Sequence, residues 1–170
     1  MKENEQKKIF QTWLDKHKAL IFKIVRSFAF TKGDQDDLFQ EIAVQVWRSV
    51  PKFKEESAVT TWLYRVSLNT AITWTRNEKK HLEGRQSIEG MGHLLQENEK
   101  HIDERLAWLY EEIARLNEID RSLTLLLLDG FNYREMSSML GISESNIGVK
   151  IHRIKKHLIN KSEKYVYHGI

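Results

Sequence analysis

The chain has 170 residues, 41% hydrophobic and 30% charged, which suits a folded protein of one medium or two small domains rather than a disordered one. It has no cysteine, which excludes disulfides and thiolate zinc sites, no run of ~18 apolar residues to cross a membrane, and no apolar stretch behind the start MKENEQKK to suggest a secretory signal. The net charge of +3 is unevenly spread: residues 1–80 hold 15 Lys and Arg against 10 Asp and Glu, residues 81–130 hold 5 against 11, and residues 131–170 hold 7 against 3, so that two basic segments suited to polyanions flank an acidic one.

Helical periodicity dominates, and the single proline, Pro51, is a breaker. A first helix is expected over residues 4–28, with a stripe of Ile9, Trp13, Leu20, Ile24 and Phe28 widened by Phe10, Leu14, Ile21 and Val25. Thr31-Lys32-Gly33 should break it. A second helix then opens with Asp34, Asp36 and Asp37, where carboxylates suit the positive end of the helix dipole. Its apolar stripe is Leu38, Phe39, Ile42, Val46, Trp47 and Val50, and Pro51 ends it. Asp37, Gln40 and Glu41 form a polar patch beside apolar residues, suited to a basic helical partner.

Residues 52–59 read as a loop and residues 60–80 as a third helix, packed through Trp62, Leu63, Val66, Ala71 and Trp74. On its other side Arg65, Asn69, Thr73, Arg76 and Lys80 recur every three or four residues and share a stripe. Positive charge there suits a phosphate backbone, while Asn69 and Thr73 suit base edges; a solvated helix face is the plainer reading of such a stripe. Residues 81–101 contain Gly84, Gly90 and Gly92, lack periodicity and read as a linker between domains. Helical spacing resumes over residues 102–116 through Leu106, Leu109, Ile113 and Leu116. A further helix begins near Asn117 and Asp120, carries residues 123–128 and stops at Asp129-Gly130.

Residues 132–158 carry the strongest local signal. Asn132 with Glu135 makes a capping box, Gly141 permits a sharp turn, and Ser143 caps a second helix with the inward stripe Ile147, Ile151, Ile154 and Leu158. Its other face carries Ser145, Asn146, Lys150, His152, Arg153, Lys155 and Lys156. This is a helix-turn-helix pattern, the second helix sized and charged for a DNA major groove; the alternative is a helical hairpin with a solvated basic face. No phosphate loop, HExxH, dinucleotide fingerprint or nucleophile elbow is present, and the seven histidines lack metal-ligand spacing. Catalysis, a cofactor and a bound metal are therefore not expected.

Asp36-Asp37-Leu38-Phe39-Gln40-Glu41, followed by Val46-Trp47-Arg48, resembles the DxxDLxQExFxxxW signature of bacterial RNA polymerase sigma factors of the extracytoplasmic-function group. Thr61-Trp62-Leu63-Tyr64-Arg65 with Asn69 resembles that family's TWLYRIARN stretch, and residues 121–158 resemble its final helix-turn-helix domain. The resemblance covers nearly the whole chain. It implies an all-α protein of two small helical domains on a flexible linker: 1–80 for polymerase binding and promoter melting, 81–102 as linker, 103–161 as the helix-turn-helix domain and 162–170 as tail. The implied function is promoter-specific transcription initiation in the cytoplasm in response to a stress or envelope signal.

The implied partners are core RNA polymerase (the coiled coil and flap), promoter DNA both as duplex and as melted strand, and an anti-sigma factor, with no insertion into a membrane. Polymerase binding would fall to Asp36, Asp37, Leu38, Gln40, Glu41 and Trp47. The minus-ten element would meet Lys52, Lys54, Thr61, Trp62, Arg65, Asn69, Thr73, Arg76 and Lys80. The minus-thirty-five duplex would meet Ser143, Ser145, Asn146, Gly148, Val149, Lys150, His152, Arg153, Lys155 and Lys156. The chain departs from the family where Asn146-Ile147-Gly148-Val149-Lys150 replaces Thr-Val-Lys-Ser-Arg, and where Leu68 replaces an arginine and so is expected to remove a phosphate contact. Two rival readings are a stand-alone helix-turn-helix regulator and a helical scaffold that touches no nucleic acid.

Overall fold

The computed structural model describes residues 1–82 and 103–168, so the expected linker falls almost wholly outside the described residues. The chain divides into two compact units, Met1–Asp103 and Glu104–Ile170.

In the first unit, α1 (Glu3–Phe28), α2 (Lys32–Ser49) and α3 (Val59–Leu82) each pack on the other two, and a 3-10 turn (Val50–Lys52) follows α2. Helical geometry is interrupted within α1 at His17, with φ −116° and ψ 18°. The shared core is Trp13, Ile21, Ile24 and Phe28 from α1, Leu38, Ile42 and Val46 from α2, and Leu63, Leu68, Ala71 and Ile72 from α3. Phe22 stacks on Phe39 at 5.2 Å across the α1–α2 interface.

The start of α2 differs from the expected Asp34. Thr31 is the cap, its hydroxyl accepting from the Asp34 N–H at 3.1 Å, and Gly33 lies inside the first turn. A threonine oxygen that satisfies an orphan N–H outweighs the weak helix propensity of one glycine. Pro51 stops α2 and starts the 3-10 turn, where its missing N–H is not needed.

The second unit contains α4 (Glu104–Arg115), α5 (Glu118–Leu128), α6 (Tyr133–Leu140) and α7 (Glu144–His168). Local chemistry sets its joints. Asn117 accepts from Asp120 N–H at 2.9 Å and starts α5. Asn132 and Glu135 exchange both bonds of a capping box, each 2.8 Å. Gly141 takes the left-handed conformation, φ 69°, and turns the chain between α6 and α7. The core is Ile113, Leu123, Leu125, Leu126, Met136, Met139, Ile147, Ile151 and Ile154.

Arg121 is buried and its guanidinium donates to the Ala114 and Leu116 carbonyls, both at 2.8 Å, closing the C-terminal end of α4. Burial lowers its pKa to about 10, which leaves it charged at neutral pH. The segment 162–170, expected to be a tail, is helical as far as His168 and packs Tyr165 against Trp108 with ring centroids 5.6 Å apart. No glycine or proline interrupts residues 149–168, so the helix can continue to that contact.

Candidate nucleic-acid and partner interface

On α2, Asp36, Asp37, Gln40 and Glu41 are exposed, as a docking face requires. Leu38 is 0% exposed and Trp47 half-exposed, so neither lies as open on that face as the four polar residues. Leu38 points into the three-helix core. Trp47 packs edge-on against Phe10 at 5.4 Å, and its carbonyl accepts from Gln6 Nε2 at 2.9 Å. Both residues support the acidic face from beneath.

The loop before α3 is held by aromatic packing. Phe53 meets Trp13 edge-on at 5.2 Å and Trp62 at 5.5 Å. The Trp62 indole N–H donates to Ser49 Oγ at 3.1 Å, and that hydroxyl donates to the Val46 carbonyl at 2.8 Å. Trp62 is therefore part of the loop's anchor, in keeping with its place among the packing residues of α3. The anchor presents Lys52 and Lys54 to solvent on either side of Phe53, while Glu55 takes a positive φ of 59° at the loop's bend. Thr61 is half-buried.

Along α3, Arg65, Asn69, Thr73 and Arg76 are exposed on one stripe. Lys80 continues it in sequence, and its side chain lies outside the described part. The Asn69 amide donates to the Arg65 carbonyl at 2.8 Å and the Thr73 hydroxyl to the Asn69 carbonyl at 3.0 Å, so both side chains lie along the helix surface. Leu68 is fully buried, so the side chain at that position serves the core and its identity does not bear on phosphate contact.

Sequence spacing does not reveal that the α2 and α3 surfaces meet. Between them lies a groove of about 550 Å³, with Asp37, Glu41 and Gln45 on one wall and Asn69, Thr73 and Trp74 on the other. Trp74 Nε1 donates to Asp37 Oδ2 at 2.9 Å and straps the helices together. Carboxylates this close to Asn69 disfavour a phosphate in the groove and leave room for hydrogen-bonding to uncharged groups.

In the helix-turn-helix, Ser143, Ser145, Asn146, Val149, His152, Arg153, Lys155 and Lys156 are exposed. Ser143 Oγ accepts from the Asn146 N–H at 3.3 Å. Lys150 differs from the expected DNA-facing lysine. It is 32% exposed and lies 3.6 Å from Asp120 of α5, so it braces the second helix against its neighbour. Gly148 is half-buried because Tyr133 covers it: a Cβ there would sit 3.5 Å from the tyrosine ring. Tyr133 is a surface-shaping residue that sequence reasoning does not single out, and Asp120 is one that it places only at a helix start. Each is distant in sequence from the residue it meets.

The family model for Sigma-70 region 2 matches residues 13–81, and that for Sigma-70, region 4, matches residues 106–158. The chain belongs to the sigma-70 family. It is 25% identical over 167 residues to the ECF RNA polymerase sigma-E factor of Haemophilus influenzae, covering 91% of this chain and 88% of that one. It is 26% identical over 147 residues to the ECF RNA polymerase sigma-E factor of Escherichia coli strain K12, covering 79% and 76%. This sigma factor accordingly falls in the extracytoplasmic-function group.

Two solved structures share the fold. One is the sigma factor RpoE in complex with the anti-sigma factor NepR from Bartonella quintana, with TM-score 0.71 and 16% identity over 89% of this chain and 94% of that one. The other is CnrH in complex with the cytosolic domain of CnrY, with TM-score 0.63 and 20% identity over 93% and 90%. In this sigma factor the region 2 match takes in the groove between α2 and α3, the region 4 match takes in the helix-turn-helix, and α7 continues beyond it.

Proposed function

We propose that this sigma factor docks on the coiled coil of core RNA polymerase through Asp36, Asp37, Gln40 and Glu41, and grips a promoter at two places. It directs promoter-specific transcription initiation, as its family does. The observation that carries the residue assignment is the exposure of two chemically distinct surfaces on the matched units: an acidic α2 face, and a polar, basic face on α7. Acidic side chains on a rigid helix suit a basic helical partner and repel DNA; the lysines and arginine of α7 suit phosphates.

In this reading, residues 1–80 form the docking and melting domain, 81–102 the linker and 103–161 the duplex-reading domain. Lys52, Lys54, Arg65 and Arg76 hold the melted strand's backbone at the minus-ten element, and Asn69 and Thr73 meet its bases. Holding an unstacked base is unfavourable by a few kcal/mol, so melting draws on binding energy from the polymerase. Ser145, Asn146, His152, Arg153, Lys155 and Lys156 meet the minus-thirty-five duplex, and the polymerase flap holds this domain in place. The chain acts by binding, without catalysis of its own, in the cytoplasm. Among the described residues no helix is long and apolar enough to cross a membrane. An anti-sigma partner that releases the factor on a stress or envelope signal fits the family, and the sigma factor RpoE named above was captured with such an antagonist.

The test is transcription from supercoiled promoter DNA by core polymerase with and without the purified chain. Specific transcripts that depend on the chain are expected. Tight promoter binding without polymerase would favour a stand-alone regulator instead, and neither binding nor transcripts would favour a scaffold.

A further inference from the structure

The outward face of α7 over its first three turns is polar at every exposed position except one. Val149, 49% exposed, stands among Ser145, Asn146, His152 and Arg153, while Ile147, Ile151 and Ile154 on the opposite face fill the core. A β-branched residue at an exposed helical site gains nothing from packing and has a weaker helix propensity than the straight-chain residues around it.

Its surroundings are also unusual. The preceding position is Gly148, and the ring of Tyr133, the first residue of α6, lies over it with Cε2 3.5 Å from where a Cβ would be. Tyr133 remains 39% exposed. The middle of the outward face therefore holds one apolar side chain, Val149, next in sequence to a glycine that offers none. The polar neighbours can hydrogen-bond to base edges and phosphates; the valine cannot.

In a major groove one base-pair feature matches an apolar side chain, the C5-methyl of thymine. We propose that Val149 reads a thymine methyl in the duplex bound by α7 and is a specificity-determining residue of this sigma factor. The proposal rests on the reading of α7 as the duplex-binding helix.

The test uses core polymerase reconstituted with the full chain and a promoter pool randomised upstream of the start site, from which transcribed sequences are selected. Each upstream thymine of the selected promoter is then replaced by deoxyuridine, which removes only the methyl group. At one position the replacement should weaken holoenzyme binding about three- to five-fold, the scale of one lost methyl contact. With Val149→Ser, which puts a hydroxyl in place of the methyl groups, that same replacement should have no effect. Val149 is exposed and serine has a helix propensity close to that of valine, so the variant folds.

If the wild type selects an upstream sequence but no uracil weakens binding, or if the sensitivity persists in Val149→Ser, the thymine contact is overturned and duplex binding by α7 stands. If no upstream sequence is selected at all, both are overturned.

Discussion

Two glycines of the helix-turn-helix are glycines for opposite reasons. Gly141 has φ +69°, a conformation in which a Cβ is strained whatever the space around it. Gly148 has no positive φ, and a Cβ there would make ordinary van der Waals contact with Tyr133. Gly148→Ala should therefore raise the stability of the unit by ~1 kcal/mol in chemical denaturation, while Gly141→Ala should lower it by a similar amount. Lysines on the same helix divide in the same way. Lys155→Ala or Lys156→Ala should weaken holoenzyme binding to all upstream sequences and reduce the slope of log affinity against log salt by about one. Lys150→Ala should leave that slope unchanged and lower stability by ~0.5 kcal/mol, because Lys150 pairs with Asp120 across a half-exposed contact. An equal fall in slope for Lys150 would mean that it leaves Asp120 for DNA.

Helix α2 shows how one element carries an exposed acidic face and a core at once. Asp37 and Leu38 are sequence neighbours, yet Asp37 is exposed and bonded to Trp74 while Leu38 has no exposed surface. In the proposed docking, Asp37 has two roles and Glu41 mainly one. Asp37→Ala should weaken polymerase binding and lower stability by ~1 kcal/mol through loss of the bond from Trp74. Glu41→Ala should weaken polymerase binding with stability nearly unchanged. Titrating labelled variants with core polymerase, alongside urea denaturation, separates the two. The loop after α2 depends on packing in the same way. Phe53, Trp13 and Trp62 fix its base, and its lysines are exposed on either side of the half-buried Phe53 ring.

At the level of the whole molecule, the proposed function makes polymerase capture and promoter melting separable steps, although Asn69 shares a groove with Asp37 and Glu41. Asn69→Ala should impair open-complex formation, read by permanganate reactivity of the melted strand, while polymerase binding is preserved; equal loss of both would remove Asn69 from the melting machinery. The sequence by itself determined the order of helices among the described residues, the capping box at Asn132 and Glu135, the turn at Gly141 and most of the stripes that face inward, Leu106 being exposed instead, because these follow from contacts three or four residues apart and from local backbone geometry. It also carried the motifs of both regions. Only the tertiary structure decided that Lys150 faces Asp120, that Tyr133 covers Gly148, that Trp62 anchors a loop and that two surfaces of region 2 border one groove. Each of these depends on side chains from different elements meeting in space, and helical periodicity reports which way a residue faces but not what it finds there.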